Sequence, residues 1–133
     1  MIATCSYYSH LDFESRFGRR MEKFGDFAIA NYLYQEGEKF VTRFDANTYI
    51  SLTKAMNSHD LGRDRGDNHS VLASIQQPTL VISTPTDLLY GLTEQEELAR
   101  FIPNAKFAKL NSIHGHDAFL IALKEINNLI LKG

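Results

Sequence analysis

The stretch Pro78-Thr79-Leu80-Val81-Ile82-Ser83-Thr84-Pro85-Thr86-Asp87 places a carboxylate directly after a short run of apolar and β-branched residues. Such a run between prolines is typical of a buried parallel strand, since both of its faces are covered by other structure. Residues 105–110 alternate in part and predict a second strand. Between them, Thr93-Glu94-Gln95-Glu96 matches a capping box, which predicts a helix that continues to Arg100 and ends before Pro103. Strand, helix and strand in this order predict a parallel βαβ unit with a right-handed crossover.

A second polar turn follows the second predicted strand, in Ile113-His114-Gly115-His116-Asp117-Ala118-Phe119-Leu120. It opens a predicted helix over residues 118–131, whose apolar residues recur on one face. Because the carboxyl ends of parallel strands meet at one edge of a sheet, we expect Asp87 and His116 to lie close together there. A histidine that accepts a proton and a carboxylate that holds its tautomer are two members of a hydrolase triad. The chain order of α/β-hydrolases is nucleophile, acid and histidine, so the pair predicts the C-terminal part of such an α/β fold.

Each of these residues also has a simpler interpretation. Asp87 follows Thr-Pro-Thr and fits the carboxylate of a turn, and His116 fits a histidine in a polar loop. Asp117 immediately precedes the last predicted helix and is a candidate N-cap, worth about 1 kcal/mol. Capping is compatible with substrate contact, because a capping carboxylate still exposes one oxygen. Spacing alone leaves these alternatives open.

The nucleophile and any metal site are the missing parts of this pattern. The sequence has no Gly-x-Ser-x-Gly, and its only glycines at that spacing, in Gly62-Arg63-Asp64-Arg65-Gly66, flank an aspartate that no predicted strand precedes. Cys5 also lacks flanking glycines. The order His114-x-His116-Asp117 resembles part of a zinc-hydrolase pattern, but Ala118-Phe119 stands where Asp and His are needed. We therefore predict no metal site.

The two halves of the chain differ in their periodicity. Residues 1–70 are predicted to form a helical segment with a connecting loop, and residues 71–133 the strands and helices of a hydrolase core. Within the first half, residues 11–57 have a helical period with Asp45 as a candidate N-cap, and the polar residues 58–70 predict an exposed loop. Two strands cover the apolar face of the last helix only in part, so we expect the chain to be the C-terminal part of a larger fold.

Composition excludes some partners and suggests a compartment. With 44% hydrophobic and 23% charged residues in 133, the chain is ordinary for a globular protein. A formal net charge of −2 gives no reason to expect nucleic acid or an anionic membrane as a partner. No apolar stretch approaches the roughly 20 residues that span a bilayer. A single cysteine fits a reducing compartment, and Met1-Ile2-Ala3-Thr4-Cys5 lacks the features of a signal peptide, so we expect a cytoplasmic location.

These motifs together resemble the C-terminal portion of the homoserine O-acetyltransferases, acyltransferases of methionine biosynthesis with an α/β-hydrolase fold. The resemblance runs over essentially the whole chain and is most specific in Arg43-Phe44-Asp45-Ala46-Asn47 and in Gly115-His116-Asp117-Ala118-Phe119-Leu120. Generic esterases would share the histidine but not both runs. The fold implied is a helical lid segment followed by the last βαβα unit of a parallel sheet.

The resemblance also implies roles for individual residues. Asp87 matches the triad acid and His116 the triad histidine, Asp117 matches a carboxylate that contacts the amino acid substrate, and Tyr7 matches a tyrosine that lines its site. Tyr8 stands where the family usually has arginine. A serine outside this chain takes acetyl from the co-substrate acetyl-CoA and passes it to homoserine, with no bound cofactor. The lid segment carries much of the family's dimer contact, which implies a homodimer.

Two alternatives remain. The chain is also compatible with a part of another α/β-hydrolase, such as an esterase or a succinyl or serine O-acyltransferase. The second alternative is a non-catalytic module that dimerises through its helical half. Because the nucleophile is missing, we expect the chain alone to be inactive in acyl transfer.

Overall fold

The computed structural model describes residues 2–22 and 25–132 of the chain. Over these ranges the helices and strands follow in the order α1 (Ile2–Tyr7), α2 (His10–Arg16), α3 (Ala28–Arg43), α4 (Ala46–Asn57), α5 (Asn68–Ala73), β1 (Thr79–Ser83), α6 (Leu92–Phe101), β2 (Ala105–Lys109), α7 (Ala118–Ile121) and α8 (Leu123–Lys132). A short 3₁₀ turn, Gly115–Asp117, precedes α7. A helical half is therefore followed by a strand–helix–strand–helix half, as the sequence predicts.

The two strands form a parallel pair with α6 as the crossover between them. Their register runs from Thr79 opposite Ala105 to Ser83 opposite Lys109. Beyond it, the backbone N–H of Leu110 donates to the carbonyl of Ser83 at 2.8 Å, so pairing continues one residue past β2. Both predicted strands are confirmed, and their carboxyl ends lie at the same edge of the sheet.

Helix α6 begins two residues earlier than its sequence pattern predicts. Its N-cap is Gly91, and the Glu94 carboxylate accepts from the Gly91 backbone N–H at 3.2 Å. The prediction of Thr93 as the capping residue is wrong, because the carboxylate that bonds the N-cap backbone is that of Glu94 and not that of Glu96. The helix ends at Phe101, before the proline, as predicted.

The last predicted helix, over residues 118–131, is divided in the structure. Ala122, with φ −87° and ψ 48°, separates α7 from α8, although its N–H still donates to the carbonyl of Ala118. The apolar spacing runs on through the break, so the sequence does not mark it. Asp117 stands at the N-cap position of α7, as its place in the sequence predicts, but its side chain makes no capping hydrogen bond.

The first half is less continuously helical than its periodicity predicts. Between α2 and α3 the chain turns at Gly18, whose φ is 49°, and Met21 pairs with Phe27 in an isolated antiparallel bridge. Residues 23 and 24, which lie inside the predicted helical stretch, are outside the described residues. Asp45 caps α4 as predicted, since its carboxylate accepts from the Thr48 N–H at 2.9 Å.

The predicted exposed loop of residues 58–70 ends earlier in the structure. Helix α5 starts at Asn68, where the Asp67 carboxylate accepts from the backbone N–H of Ser70 at 3.1 Å. The predicted boundary between residues 70 and 71 falls inside this helix. The division of the chain into a helical segment and a core segment stays a prediction.

The buried core is small and lies around the two strands and α6. Its fully or nearly buried apolar residues in the second half are Val71, Leu72, Val81, Ile102, Leu110 and Ala118. Several large apolar side chains stay exposed on α7 and α8: Phe119, Leu120, Ile121, Leu123, Ile130 and Leu131. The expectation that two strands cover the last helix only in part is confirmed. No helix among the described residues is both long and apolar enough to cross a bilayer.

Leu110→Ala tests whether this small core holds the strands together. Leu110 is only 2% exposed, so removing its side chain leaves a cavity beside the sheet. We expect a loss of about 2–5 kcal/mol in the free energy of unfolding, measured by urea titration of the chain. Ile2→Ala at the start of α1, where the residue is 91% exposed, is the control and should change stability by less than about 0.5 kcal/mol. Equal effects of the two substitutions would contradict this core.

Candidate active site

The structure brings Asp87 and His116 together at the carboxyl edge of the two strands. The imidazole Nδ1 of His116 lies 3.0 Å from Oδ2 of Asp87, and the two side chains are 23% and 12% exposed. Asp87 follows β1 and His116 follows β2, so the parallel pairing of the strands places both at one rim. An ionised carboxylate at Nδ1 keeps the ring proton there and leaves Nε2 to accept a proton.

The second oxygen of Asp87 holds its own turn. Oδ1 accepts from the backbone N–H of Leu89 at 2.8 Å and from that of Tyr90 at 3.1 Å. Asp87 therefore has both of the predicted geometries. Oδ1 bonds the turn, and Oδ2 contacts His116. The turn fixes the orientation of the carboxylate before any ligand arrives.

The histidine turn is tied to the acid turn by one hydroxyl. Thr86 Oγ1 donates to the carbonyl of Ser112 at 2.8 Å and accepts from the backbone N–H of Gly115 at 3.2 Å. Thr86 is adjacent to Asp87, and Gly115 is adjacent to His116. The two loops that carry the pair are thus bonded to each other directly, in addition to the contact between the side chains.

Gly115 is required where it stands. Its φ of 67° lies in the left-handed region that favours glycine. A Cβ at this position would lie 2.7 Å from the backbone nitrogen of Ser9 and 2.8 Å from the carbonyl oxygen of Tyr7. The turn before His116 therefore packs directly on the backbone between α1 and α2, so the helical half contacts the candidate site.

Three aromatic rings surround the imidazole of His116. The ring centroid of Tyr90 lies 5.3 Å away, that of Tyr7 5.9 Å and that of Phe119 6.0 Å. The sequence prediction includes Tyr7 but misses Tyr90 and Phe119. Each of these two lies three residues from a predicted site residue, and that proximity is the signal by which they could have been found.

A cavity of about 810 Å³ lies between the helical half and the residues that follow His116, and neither Asp87 nor His116 is among its lining residues. It approaches the pair through Tyr7, whose ring centroid lies 5.9 Å from that of His116. Tyr7 and Asp117, the two predicted substrate contacts, both line it. The remaining lining comes mainly from α1, α3 and α4 and includes both acidic and basic side chains: Ala3, Thr4, Tyr8, Tyr32, Glu36, Lys39, Phe40, Thr42, Arg43, Tyr49 and Leu120. The lining combines aromatic rings with a few charged and hydroxyl groups, a composition typical of small-molecule sites.

Tyr8 occupies the wall of this cavity next to Asp117. Burial first, then the Tyr32 hydroxyl and the Asp117 carboxylate, raise the pKa of Tyr8 well above its usual range. Its phenol therefore stays protonated and available as a hydrogen-bond donor. The guanidinium of Arg16 lies over the rings of Tyr8 and Tyr32, at 5.1 Å and 4.6 Å from their centroids. Arg16, on α2, thus places a cation next to Tyr8.

The histidines of the turn bond carboxylates and not a shared metal position. His114 Nδ1 lies 2.5 Å from Asp12 Oδ1, whereas His116 bonds Asp87. Over residues 2–22 and 25–132, no group of three or more metal-ligating side chains comes together. The arrangement is thus a pair of separate acid–histidine contacts, two residues apart in sequence.

Gly115→Ala tests the close packing behind His116. Gly18→Ala is the matched control, because Gly18 also has a positive φ but its Cβ would meet only ordinary contacts at 3.5 Å and beyond. We expect about 1–2 kcal/mol of destabilisation from the left-handed backbone in the control. The loss at Gly115 should be clearly larger, since backbone atoms of α1 and its following turn must also move. Urea unfolding of the two variants measures this, and equal losses would rule out the packing described.

Comparison with curated proteins finds homoserine O-acetyltransferases among the relatives of this chain. The homoserine O-acetyltransferase of Chloroherpeton thalassium is 50% identical over 131 residues, which are 98% of this chain and 35% of the relative. That of Nostoc punctiforme is 52% identical over 135 residues, covering 98% of this chain and 38% of the relative. The chain thus spans little more than a third of the length of these relatives. No protein-family model matches the chain.

Solved structures agree on the fold. A homoserine O-acetyltransferase from Bacillus anthracis superposes with a TM-score of 0.78 at 18% identity, over 96% of this chain and 38% of that one. Esterase E22 superposes with a TM-score of 0.76 at 20% identity, over 95% of this chain and 38% of the esterase. An α/β-hydrolase from a deep-sea metagenome superposes with a TM-score of 0.65 at 24% identity, over 98% of this chain and 42% of that one. At these identities the likeness shows the fold alone. By sequence the chain is therefore similar over nearly its whole length to a part of the homoserine O-acetyltransferases, and its fold matches a part of the α/β-hydrolase fold.

Proposed function

We propose that this chain supplies the acid and the histidine of a Ser-His-Asp triad in a homoserine O-acetyltransferase. The observation that carries the proposal is the 3.0 Å contact of His116 Nδ1 with Asp87 Oδ2 at the carboxyl edge of parallel strands. The identities of 50% and 52% to homoserine O-acetyltransferases favour this transferase over other enzymes of the same fold. The nucleophile serine and the oxyanion donors belong, on this proposal, to the other two thirds of the fold.

The proposed reaction has two acyl transfers with the same base. His116 Nε2 takes the proton of the serine hydroxyl as its oxygen attacks the thioester carbonyl of acetyl-CoA, and returns that proton to the departing thiolate. The acetyl group is then an ester on the serine. His116 next takes the proton of the homoserine hydroxyl as that oxygen attacks the ester, and returns it to the serine. Asp87 keeps the other ring proton at Nδ1 and stabilises the imidazolium in both steps.

Asp117 and Tyr7 are proposed as contacts of the acceptor substrate. Both line the cavity, and Asp117 makes no capping bond that would occupy its carboxylate at the start of α7. A carboxylate there suits the ammonium group of an amino acid. The protonated Tyr8 phenol beside it is suited to hold the Asp117 carboxylate in place.

The proposal extends to the substrates, the pathway, the compartment and the oligomeric state of the enzyme. Homoserine and acetyl-CoA are the proposed substrates, with no bound cofactor, in methionine biosynthesis and in the cytoplasm. We also propose a homodimer through the helical half, which is the proposed lid. Exposed apolar side chains on α3 and α4 support this interface: Tyr34, Val41, Ile50, Leu52 and Met56.

Replacement of the matching segment in a whole relative tests the proposed function. The aligned third of the Chloroherpeton thalassium enzyme would be exchanged for this chain, and release of the CoA thiol from acetyl-CoA would be followed with and without homoserine. We expect the chimera to release at most about one equivalent of thiol per site without homoserine and to turn over continuously with it, and the chain alone to release none. An esterase part would instead give hydrolysis of an aryl acetate with no dependence on homoserine. A soluble, folded chimera with that second behaviour would overturn the proposal.

The roles of the acid and the histidine are tested by substitution in the same chimera. We expect Asp87→Asn to lower kcat by about 10⁴-fold, because the amide favours the wrong tautomer of the ring. His116→Ala should lower it at least as much. His69→Gln is the matched control, since that histidine contacts Glu97 on the protein surface and not the site. Retention of more than a tenth of the activity in the Asp87 variant would contradict its assignment as the triad acid.

A further inference from the structure

A second acid–histidine contact lies behind the candidate triad. Asp12, on α2, is 1% exposed, and its Oδ1 lies 2.5 Å from Nδ1 of His114. Its other oxygen lies 3.3 Å from the guanidinium of Arg16, so the buried carboxylate is bonded on both sides. A buried charge costs free energy unless it is paired in this way. The Asp12 carboxylate is almost completely buried, so direct contact with a substrate does not account for the pair.

The N-terminal end of α2 makes a second hydrogen bond to the histidine turn. Ser9, the N-cap of α2, is 3% exposed, accepts from the Asp12 N–H at 3.1 Å and donates its hydroxyl to the carbonyl of Ile113. Ile113 and His114 are therefore both bonded to the first turn of α2. These contacts join residues more than 100 positions apart in sequence.

The backbone of the turn is fixed on both sides, so a change in the position of His114 also changes the position of His116. Gly115, between the two histidines, is packed against the backbone of Tyr7 and Ser9, and its N–H is bonded to Thr86. One side of the turn is thus held by the helical half and the other by the loop of the acid. A displacement of His114 must move the main chain that carries His116.

We propose that Asp12 and His114 are positioning residues, through which the helical half sets the orientation of the triad histidine. The inference rests on the proposed function, since it assigns the task that His116 performs. It makes the α2 segment part of the catalytic apparatus without any contact to substrate. A misplacement of the base by about 1 Å costs on the order of a hundredfold in rate, so a contact of this kind has a measurable effect.

Asp12→Asn and His114→Gln in the chimera test the proposal. Each keeps the approximate shape and leaves at most a neutral or weaker hydrogen bond in place of the acid–histidine contact. We expect kcat to fall about ten- to hundredfold in both, with the KM values of acetyl-CoA and homoserine changed less than about threefold, because neither residue is a proposed substrate contact. The double variant should lose no more than the worse single one, since both alter the same contact.

The matched control is the exposed pair of His69 and Glu97, whose Nε2 and Oε1 atoms lie 3.1 Å apart. Glu97→Gln and His69→Gln alter a histidine–carboxylate contact of the same kind away from the turn, and should leave kcat within twofold. All variants would be assayed well below their melting temperatures, with the folded fraction checked by circular dichroism. These checks distinguish a lower catalytic rate from a smaller fraction of folded protein.

Long-range ¹H–¹⁵N spectra of the imidazoles give a readout that does not depend on activity. We expect the His116 ring to hold its proton at Nδ1 in the parent, and its signals to shift or split into two forms in the Asp12 and His114 variants but not in the controls. Unchanged His116 signals together with unchanged kcat would overturn the positioning role. A parent chimera without transferase activity but with the expected spectral changes would reject the proposed function and keep the positioning role.

Discussion

The hydrogen bonds that hold the turn before His116 are the constraint on which the rest of this structure depends. Thr86 bonds the turn from the side of the acid, and Ser9 and Asp12 bond it from the side of the helices. Gly115 allows the backbone to pass between these two sides, where no side chain fits. The 3.0 Å contact of His116 with Asp87 is the result of this bonding, because both partners stand on loops that are already fixed. A preorganised pair of this kind needs no rearrangement when a substrate binds.

The helical half and the strand half are therefore parts of one site. The strands bring an acid and a histidine to one rim, which many hydrolases share. The helices add the wall of the cavity with Tyr7 and Tyr8, and they also hold the turn that carries the histidine. The exposed apolar faces of α7 and α8 are consistent with a chain that matches little more than a third of the length of its relatives. On the proposed function, the nucleophile belongs to the part of the fold that this chain does not include.

Sequence reasoning predicts the parts of the fold where local pattern and tertiary structure agree. The run of apolar residues between two prolines gives β1 to the residue, and Asp45 is recognised as a cap because the side chain of a cap bonds its own backbone. The break at Ala122 has no such local mark, because the apolar period continues across it. The candidate pair is predictable from the topology of parallel strands. Asp12 is not, since its partner stands 102 residues away and a single aspartate in a helical segment carries no sign of burial.

The most direct measurement of the central claim is the location of the acetyl group when acetyl-CoA is added to the chimera without homoserine. Mass spectrometry of the digested protein would identify the modified residue. The account predicts one acetyl group on a serine contributed by the relative's part of the chimera, lost on addition of homoserine and absent when His116 is replaced by alanine. Acetylation that persists without His116, or that occurs only on residues of this chain, would contradict the assignment of Asp87 and His116 to the triad.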